Sequence, residues 1–289
     1  MAENIICDGC ARPEGQQPDG RYSRWFTLGA TEVDLNNRLR LMSLLGFFQE
    51  TAGDQCELFG SGWSTLWGKH GLCYVVVRME IRMDRYLGTG EQIRVDTWPD
   101  PKLRQIFARY GEIFDASGSR IGSIVSQWAL LDVKERHFVR PTPEIVAMPD
   151  TSSLTPPFEL PRDRRGAFDE ERDDPGVVKF SFPRTLVYSD YDYNRHMNNA
   201  RYAEWVCDAL WNVLPADVRA NDPLISRIDI KFRTEIPAAL VNTSLELSGT
   251  LDPETRLFYV RGIGRPSEDD PGTVHFEAEA EYFSDTGRA

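Results

Sequence analysis

Long apolar runs are missing from this sequence. No stretch approaches the roughly 20 residues that a membrane-spanning helix needs, so no membrane role is expected. Positive charge is also short: 33 lysines and arginines stand against 45 aspartates and glutamates, a net charge of −12. A general nucleic-acid binder needs a basic face to neutralise phosphates, and that class is set aside. Local basic clusters could still meet an acidic partner. Cysteine is sparse and odd in number, five in 289 residues, which suits a reducing compartment better than a disulfide framework. The four histidines, His70, His137, His196 and His275, show no metal-ligand spacing. Nor is there a phosphate-cradling glycine loop, because Gly60-Ser61-Gly62 and Gly88-Thr89-Gly90 lack the rest of any nucleotide fingerprint and read as turns. No metal and no cofactor are expected.

The first 20 residues contain no long apolar stretch, which argues against a secretory signal. They also carry Glu3, Asp8 and Glu14, which argue against an acid-poor transit peptide. A cytoplasmic protein with a flexible tail over residues 1–20 is expected. Cys7 and Cys10 in that tail form a lone C-x-x-C with no second pair of ligands, and the surrounding Gly, Pro and Gln are wrong for a redox helix.

With 41% hydrophobic residues the chain has material for a sizeable core. A Pro- and charge-rich stretch over residues 150–176 reads as a linker. It separates a first domain, 21–149, from a second, 177–289. Both run in one order. In the first, a strand-like stretch (Tyr22 to Leu28) leads through a polar turn at Val33–Arg38. A helical pattern follows from Leu41 to about Leu58, with Leu41, Leu44, Leu45, Phe48 and Ala52 on one face. Strand-like runs then cover Cys73–Met83, Gln92–Trp98, Ile106–Asp115 and Ser119–Asp132. In the second, a strand over Lys179–Tyr188 precedes the turn Asp190–Met197 and a helix from about Asn198 to Val213. Tyr202, Trp205, Val206, Ala209 and Leu210 form its apolar side. Strands follow at Ile225–Arg233, Ser244–Leu251, Leu257–Gly264 and His275–Phe283.

The repeat reaches individual residues. Asp34-Leu35-Asn36-Asn37-Arg38 aligns with Asp192-Tyr193-Asn194-Arg195-His196, and Arg78-Met79-Glu80-Ile81-Arg82 with Arg227-Ile228-Asp229-Ile230-Lys231. A duplicated unit of one long helix and about four strands pairing in sequence predicts an antiparallel sheet wrapped around each helix. Two such units could join their sheets side by side, each covering an edge the other leaves open.

The copies differ where proton transfer is concerned. His196 stands where the first copy has Arg38, and only an imidazole can give up a proton near neutrality. Acid–base chemistry therefore belongs to the second half, which makes the first half a candidate for substrate binding. Asp192, Asn194 and His196 alternate, so in extended backbone they point one way, and Asn198 or Asn199 stands where a helix cap belongs. Free N–H groups at that helix start would suit an oxyanion. A plainer reading is available: Asp and Asn are ordinary turn and cap formers. Capping alone does not explain why one copy has the histidine and the other lacks it.

These residues resemble the motif D-x-N-x-H-x-N-N of the acyl-acyl carrier protein thioesterases, with Asp192, Asn194, His196, Asn198 and Asn199 at every fixed position. The likeness extends to Gln49-Glu50-Thr51-Ala52, to Val77-Arg78-Met79 through Asp84-Arg85-Tyr86, and to Gly90, Val95, Thr97 and Trp98. The resemblance implies an α+β fold of two tandem hotdog domains. It also implies hydrolysis of fatty acyl thioesters on acyl carrier protein, and site residues Asp192, Asn194, His196 and Glu235. Plant members have a cysteine directly after that Glu. Here the position is Ile236, so covalent thiol catalysis is disfavoured and water attack expected. Cys207, the nearest cysteine in sequence, falls mid-helix and reads as core.

In this reading Glu235 is general base, Asn194 positions the water or the carbonyl, His196 orients the water or protonates the leaving thiolate, and Asp192 holds the turn and could orient His196 or Asn194. The first domain would set acyl length, with Trp63 and Trp67 as candidate pocket wall. Arg104, Arg109, Arg136 and Arg140 could meet the acidic carrier protein. The alternatives are an acyl-CoA thioesterase and a non-catalytic acyl-thioester sensor. Because the duplication pairs two units within one chain, a monomer or a homodimer is equally open.

Overall fold

The structure, a computed structural model, describes residues 15–161, 176–221, 223–265 and 272–284. The Cys7/Cys10 pair and residues 162–175 lie outside the described residues. In the first half the elements are β1 (Tyr22–Thr27), α1 (Leu41–Leu58), the short α2 (Trp63–Thr65) running into a π-helical turn (Leu66–His70), β2 (Leu72–Met83), β3 (Gln92–Pro99), β4 (Ile106–Asp115), β5 (Arg120–Asp132) and β6 (Phe138–Val139). In the second they are β7 (Val178–Thr185), α3 (Asn199–Val213), α4 (Ala216–Ala220), β8 (Pro223–Phe232), β9 (Ser244–Asp252), β10 (Leu257–Gly264) and β11 (Thr273–Ser284).

Spacing builds the helices. On α1 the buried residues Leu41, Leu44, Leu45, Phe48, Thr51, Ala52 and Gln55 follow steps of three and four, one face of a 3.6-residue period. On α3 the buried set includes Tyr202, Trp205, Val206, Ala209 and Leu210, the expected apolar side. Alternation builds the strands: β10 buries Phe258, Val260 and Gly262 and turns Tyr259 and Arg261 outward. Gly111 of β4 and Gly262 of β10 lie at different positions of the corresponding strands, opposite Ile124 and Phe276, but each makes room for a ring. A Cβ on Gly111 would stand 2.7 Å from the Phe48 ring, and one on Gly262 would stand 2.3 Å from the Phe276 ring. Glycine at these points lets an aromatic ring lie directly on the sheet.

All principal strands join one antiparallel sheet in the order β1-β3-β4-β5-β2-β8-β11-β10-β9-β7, with β6 added to β5. Read from its own edge, each half has the same order. One expectation needs correction: the strands do not pair simply in sequence, because β2 lies against β5 and β3 lies against β1. The connection from β2 to β3 is tied to the polar turn, with Leu39 N donating to Leu87 O at 2.8 Å and Leu28 N to Glu91 O at 2.9 Å. That anchoring carries β3 across to β1 instead of letting it fold back on β2.

The two aligned segments of the repeat pair with each other at the centre. β2 and β8 run antiparallel with Arg78 opposite Lys231, Glu80 opposite Asp229 and Arg82 opposite Arg227. The contact is an intrachain version of a two-fold, self-complementary interface. Met79, Ile81, Ile228 and Ile230 face the helices in the main core. The other face is ionic: Arg78 grips Asp229 through Nε and Nη2 at 2.8 and 2.6 Å. Buried Glu80 takes Arg82 at 2.8 Å and Arg227 at 3.0 Å.

Residues 150–161 cross this outer face. Leu154, Phe158 and Leu160 pack on Trp98, Tyr110 and Val125. The Arg82 guanidinium lies 3.9 Å over the Phe158 ring, and Arg78 Nη1 donates to Pro161 O at 2.9 Å. The first part of the stretch read as a linker is thus strapped to the sheet. The architecture is the α+β double hotdog: two helices lying on one face of a shared antiparallel sheet.

Candidate active site

The polar turn has one design in both halves. In the second, Asp192 Oδ1 accepts from Asn194 N at 2.8 Å, Arg195 N donates to Asp192 O at 3.0 Å, and Asp192 N donates to His196 O at 3.0 Å. Arg195 takes a positive φ of 64°. In the first, Asp34 Oδ1 accepts from Asn36 N at 2.9 Å, Asn37 N donates to Asp34 O at 3.1 Å, Asp34 N donates to Arg38 O at 2.8 Å, and Asn37 has φ 59°. A short polar side chain folding back on its own backbone is what an Asx turn requires. Asp192 therefore shapes the turn, as Asp34 does where no histidine follows.

Glu235 reaches His196 because the segment after β8 is zipped to this turn. Met197 N donates to Ile236 O at 2.9 Å, Ala238 N donates to Arg195 O at 2.8 Å, and His196 pairs with Pro237 as an isolated bridge. The result sets His196 Nε2 3.5 Å from Glu235 Oε2, with the side chains 35% and 36% exposed. That is longer than a formed hydrogen bond, and catalytic contacts are often loose before substrate binds. The exposure leaves room for water and a thioester. Of the four expected residues, His196 and Glu235 form one pair and Asp192 and Asn194 another, Asn194 Nδ2 standing 3.5 Å from Asp192 Oδ2. Among the described residues no hydrogen bond joins Asn194 to His196 or Glu235.

The repeat supplies an internal reference for Glu235. Arg233 N and Thr234 N both donate to His275 O, as Asp84 N and Arg85 N both donate to Ile121 O. The residue after each pair is Glu235 in one half and Tyr86 in the other. Tyr86 is turned inward and donates to Ile225 O at 2.8 Å.

The last two asparagines of the motif are structural. Asn198 caps α3, its Oδ1 accepting from Ala200 N at 2.9 Å. Asn199 Oδ1 accepts from Gln49 Nε2 of α1 at 2.7 Å, tying the two halves beside the site. The expected oxyanion donors at the helix start are fewer than the whole first turn. Asn198 N donates to Asp190 O, Ala200 N to the cap and Arg201 N to Asn198 O, so of the first N–H groups these three are engaged and Asn199 N is not among them. Asn194 is exposed in the turn.

Trp63 and Trp67 stack at 4.7 Å and remain 39% and 46% exposed, and Trp63 meets the edge of Tyr193 in the second-half polar turn at 5.6 Å. Leu66, Leu72, Phe107, Leu130 and Val146 form a second apolar cluster. An open groove of about 690 Å³ lies elsewhere, along β1, and its Arg21, Arg24 and Arg94 pair with Asp19, Asp54 and Asp96. Among the described residues no group of three or more His, Cys, Asp or Glu side chains is placed to hold a metal ion.

Two neighbours of Glu235 escape sequence reasoning. Arg136, on the turn before β6, forms an ion pair with Glu235 Oε2 across the halves. Cys73, at the start of β2, lies within electrostatic reach of Glu235. Burial and then the Glu235 charge push its thiol up, while Arg136 opposes them. Both arrive through the β2–β8 pairing, which brings the start of β2 beside the end of β8. Arg109, a candidate for the surface patch, is instead buried, with Nη1 donating to Gln55 Oε1 at 2.8 Å and to Thr97 Oγ1 at 3.3 Å. Arg104 and Arg140 are exposed. Cys207 packs against the core, and its thiol is pushed up to about 12 by burial and then by Asp208, Glu204 and Asp34.

The comparisons with known proteins agree on one family. The acyl-ACP thioesterase N-terminal domain matches residues 19–148 and the acyl-ACP thioesterase C-terminal domain matches residues 180–246. A chloroplastic acyl-acyl-carrier-protein hydrolase from Cuphea viscosissima is 26% identical over 257 residues, covering 81% of this chain and 55% of its own length. The chain spans about half the length of the curated relatives it matches. In fold it is similar to an acyl-ACP thioesterase from Bacteroides thetaiotaomicron VPI-5482, with TM-score 0.69 and 23% identity over 92% of this chain and 98% of that one. It is also similar to the 12:0-ACP thioesterase from Umbellularia californica, with TM-score 0.65 and 19% identity over 91% and 97%.

Proposed function

The chain belongs to the acyl-ACP thioesterase family, and on that premise we propose that it hydrolyses fatty acyl thioesters on acyl carrier protein to free fatty acid and carrier thiol. The observation that carries the reading is the His196–Glu235 pair, half-open to water at the junction of the two halves. Glu235 takes a proton from water as its oxygen attacks the thioester carbonyl. The Asn194 amide donates to the carbonyl oxygen as negative charge develops there. As the tetrahedral intermediate collapses the C–S bond breaks, and His196 gives a proton to the departing thiolate. The proton on Glu235 returns to solvent or to His196, so water has been added across the thioester. The acyl tail lies against the exposed, stacked Trp63 and Trp67. The π-helical turn beside them is the kind of local irregularity often found at functional sites.

The free thiols Cys56, Cys73 and Cys207 suit a reducing compartment, and the cytoplasm is the proposed location; the chloroplastic label belongs to the plant relatives. The test is thiol release from matched C8 to C18 acyl-carrier-protein and acyl-CoA substrates, with His196→Ala as control. Turnover on the carrier protein that disappears in the mutant is the expected result. Equal or better turnover on CoA would shift the carrier assignment. Tight acyl binding without turnover on either would make the protein a sensor.

A further inference from the structure

Arg136 holds the carboxylate that the proposed chemistry needs free. It stands on the tight turn between β5 and β6 with φ 55°, its backbone N–H donating to Asp132 O at 2.9 Å. Asp132 Oδ1 accepts from Lys134 N at 2.9 Å and Glu135 N at 2.8 Å, which fixes the turn. From there the guanidinium crosses to Oε2 of Glu235, the same oxygen that faces His196. Among the described residues Arg136 and His196 are the ion partners of Glu235, and Glu235 is the ion partner of Arg136. An oxygen engaged by a guanidinium is poorly placed to receive a proton from water. The arginine side chain is 50% exposed, so it can leave without a buried charge being stranded.

We propose that Arg136 is a substrate-sensing latch. It occupies Glu235 in the unloaded enzyme and is drawn off by an oxyanion of the incoming carrier, so that the base is released when a carrier-borne thioester is seated. A guanidinium binds phosphate and carboxylate oxygens with the same fork, so one charge-assisted contact replaces another. Two parts of the carrier supply that chemistry: the phosphate ester at the root of its pantetheine arm, and acidic side chains of the carrier protein. The latch rests on the assignment of Glu235 as base.

The test uses the full chain with non-hydrolysable acyl thioethers of pantetheine, of 4′-phosphopantetheine and of the carrier protein, measured by calorimetry. Wild type should bind the phosphate form about tenfold tighter than the pantetheine form, the size of a charge-assisted contact. Arg136→Ala should abolish that preference. Glu235→Gln, which removes the competing carboxylate, should enlarge it. If the phosphate makes no difference but the carrier-protein thioether shows the same loss and gain, the carrier's carboxylates are the source and the latch stands. Unchanged affinities for all three ligands in both variants overturn it. In turnover, Arg136→Ala should raise kcat on acyl-pantetheine about tenfold and raise KM for the acyl carrier protein. A fall in kcat on acyl-pantetheine would make Arg136 a positioning residue for the base and sink the latch alone. Normal turnover by Glu235→Gln would sink the base assignment and the latch together.

Discussion

In the first half of the molecule the polar turn ends in Arg38 and the segment after β2 delivers Tyr86; in the second half the same two places hold His196 and Glu235. Much of the backbone around them is alike. The Asx turn, the positive-φ residue, the backbone zipper to the segment after the central strand and the strand order are common to both halves. In the proposed chemistry the residues that differ move the proton, and the shared turn builds the site around them. The Asp and Asn of the motif fall largely on the building side, because Asp34 and Asn36 make the corresponding turn bonds with no proton-transfer group beside them.

The strongest way to break this comparison is to remove the differing residues. His196→Ala and Glu235→Gln should each lower kcat by about 10²- to 10⁴-fold, the usual range for a lost general acid or base. Tyr86→Phe, at the place of Glu235 in the first half, should leave kcat within about threefold. Its cost is the bond to Ile225 O, about 1 kcal/mol of stability. Steady-state rates and urea unfolding of the same preparations check both. A Tyr86→Phe enzyme as slow as Glu235→Gln would mean that the first half takes part in the chemistry.

The halves can also be tested as a joined pair. Arg78→Ala takes from Asp229, which is 4% exposed, its two-bond partner at the seam where the two copies of the repeat meet, leaving Arg227 at 3.8 Å. A buried pair broken on one side costs about 3 kcal/mol, and the remaining arginine holds the loss below that. Denaturant unfolding should show a single transition moved to lower urea. Two separated transitions would mean that each half holds its fold without the seam.

Much of this was legible beforehand because it is periodic or repeated. The bounds of α1, the apolar side of α3 and the runs at Ile106–Asp115 and Leu257–Gly264 follow from residue spacing. The duplication then limits how two sheets can meet. What was not legible depends on pairing between distant strands. Nothing in the residues near Arg136 or Cys73 points to Glu235, because the β2–β8 register brings them there. Arg109 illustrates the same limit. Its burial depends on Gln55 and Thr97 arriving from α1 and β3, and a lone arginine in a strand reads as surface. The strap formed by residues 150–161 was hidden because its Pro-rich composition has no period, although Phe158 and Leu160 find a sheet face to cover.

A finer cut separates the shape of the turn from its reactivity. Asp192→Asn keeps an oxygen able to accept from the Asn194 N–H, so it should retain turnover within about tenfold of wild type. Asp192→Ala should lose more, along with about 1 kcal/mol of stability. Asp34→Ala should show that stability loss with normal kcat. If Asp192→Asn is as inactive as His196→Ala, the carboxylate charge itself is catalytic and Asp192 differs in role from Asp34.

The smallest expected effect bears on the nucleophile. Ile236 occupies the place where plant members have a cysteine, yet the fold sets another thiol, Cys73, near Glu235. Burial and the neighbouring carboxylate both push that thiol up. It therefore stays protonated through neutral pH, and a protonated thiol is a poor nucleophile. Relative to an unfolded thiol, the folded protein holds this proton to higher pH, so any contribution of Cys73 makes stability fall as pH rises past the ordinary thiol range. Cys73→Ser should change kcat by less than about threefold at neutral pH, under 1 kcal/mol in the barrier. It should also remove part of the alkaline loss of stability. A loss of turnover as deep as that of His196→Ala would make Cys73 the attacking group, and the water mechanism at Glu235 would have to be given up.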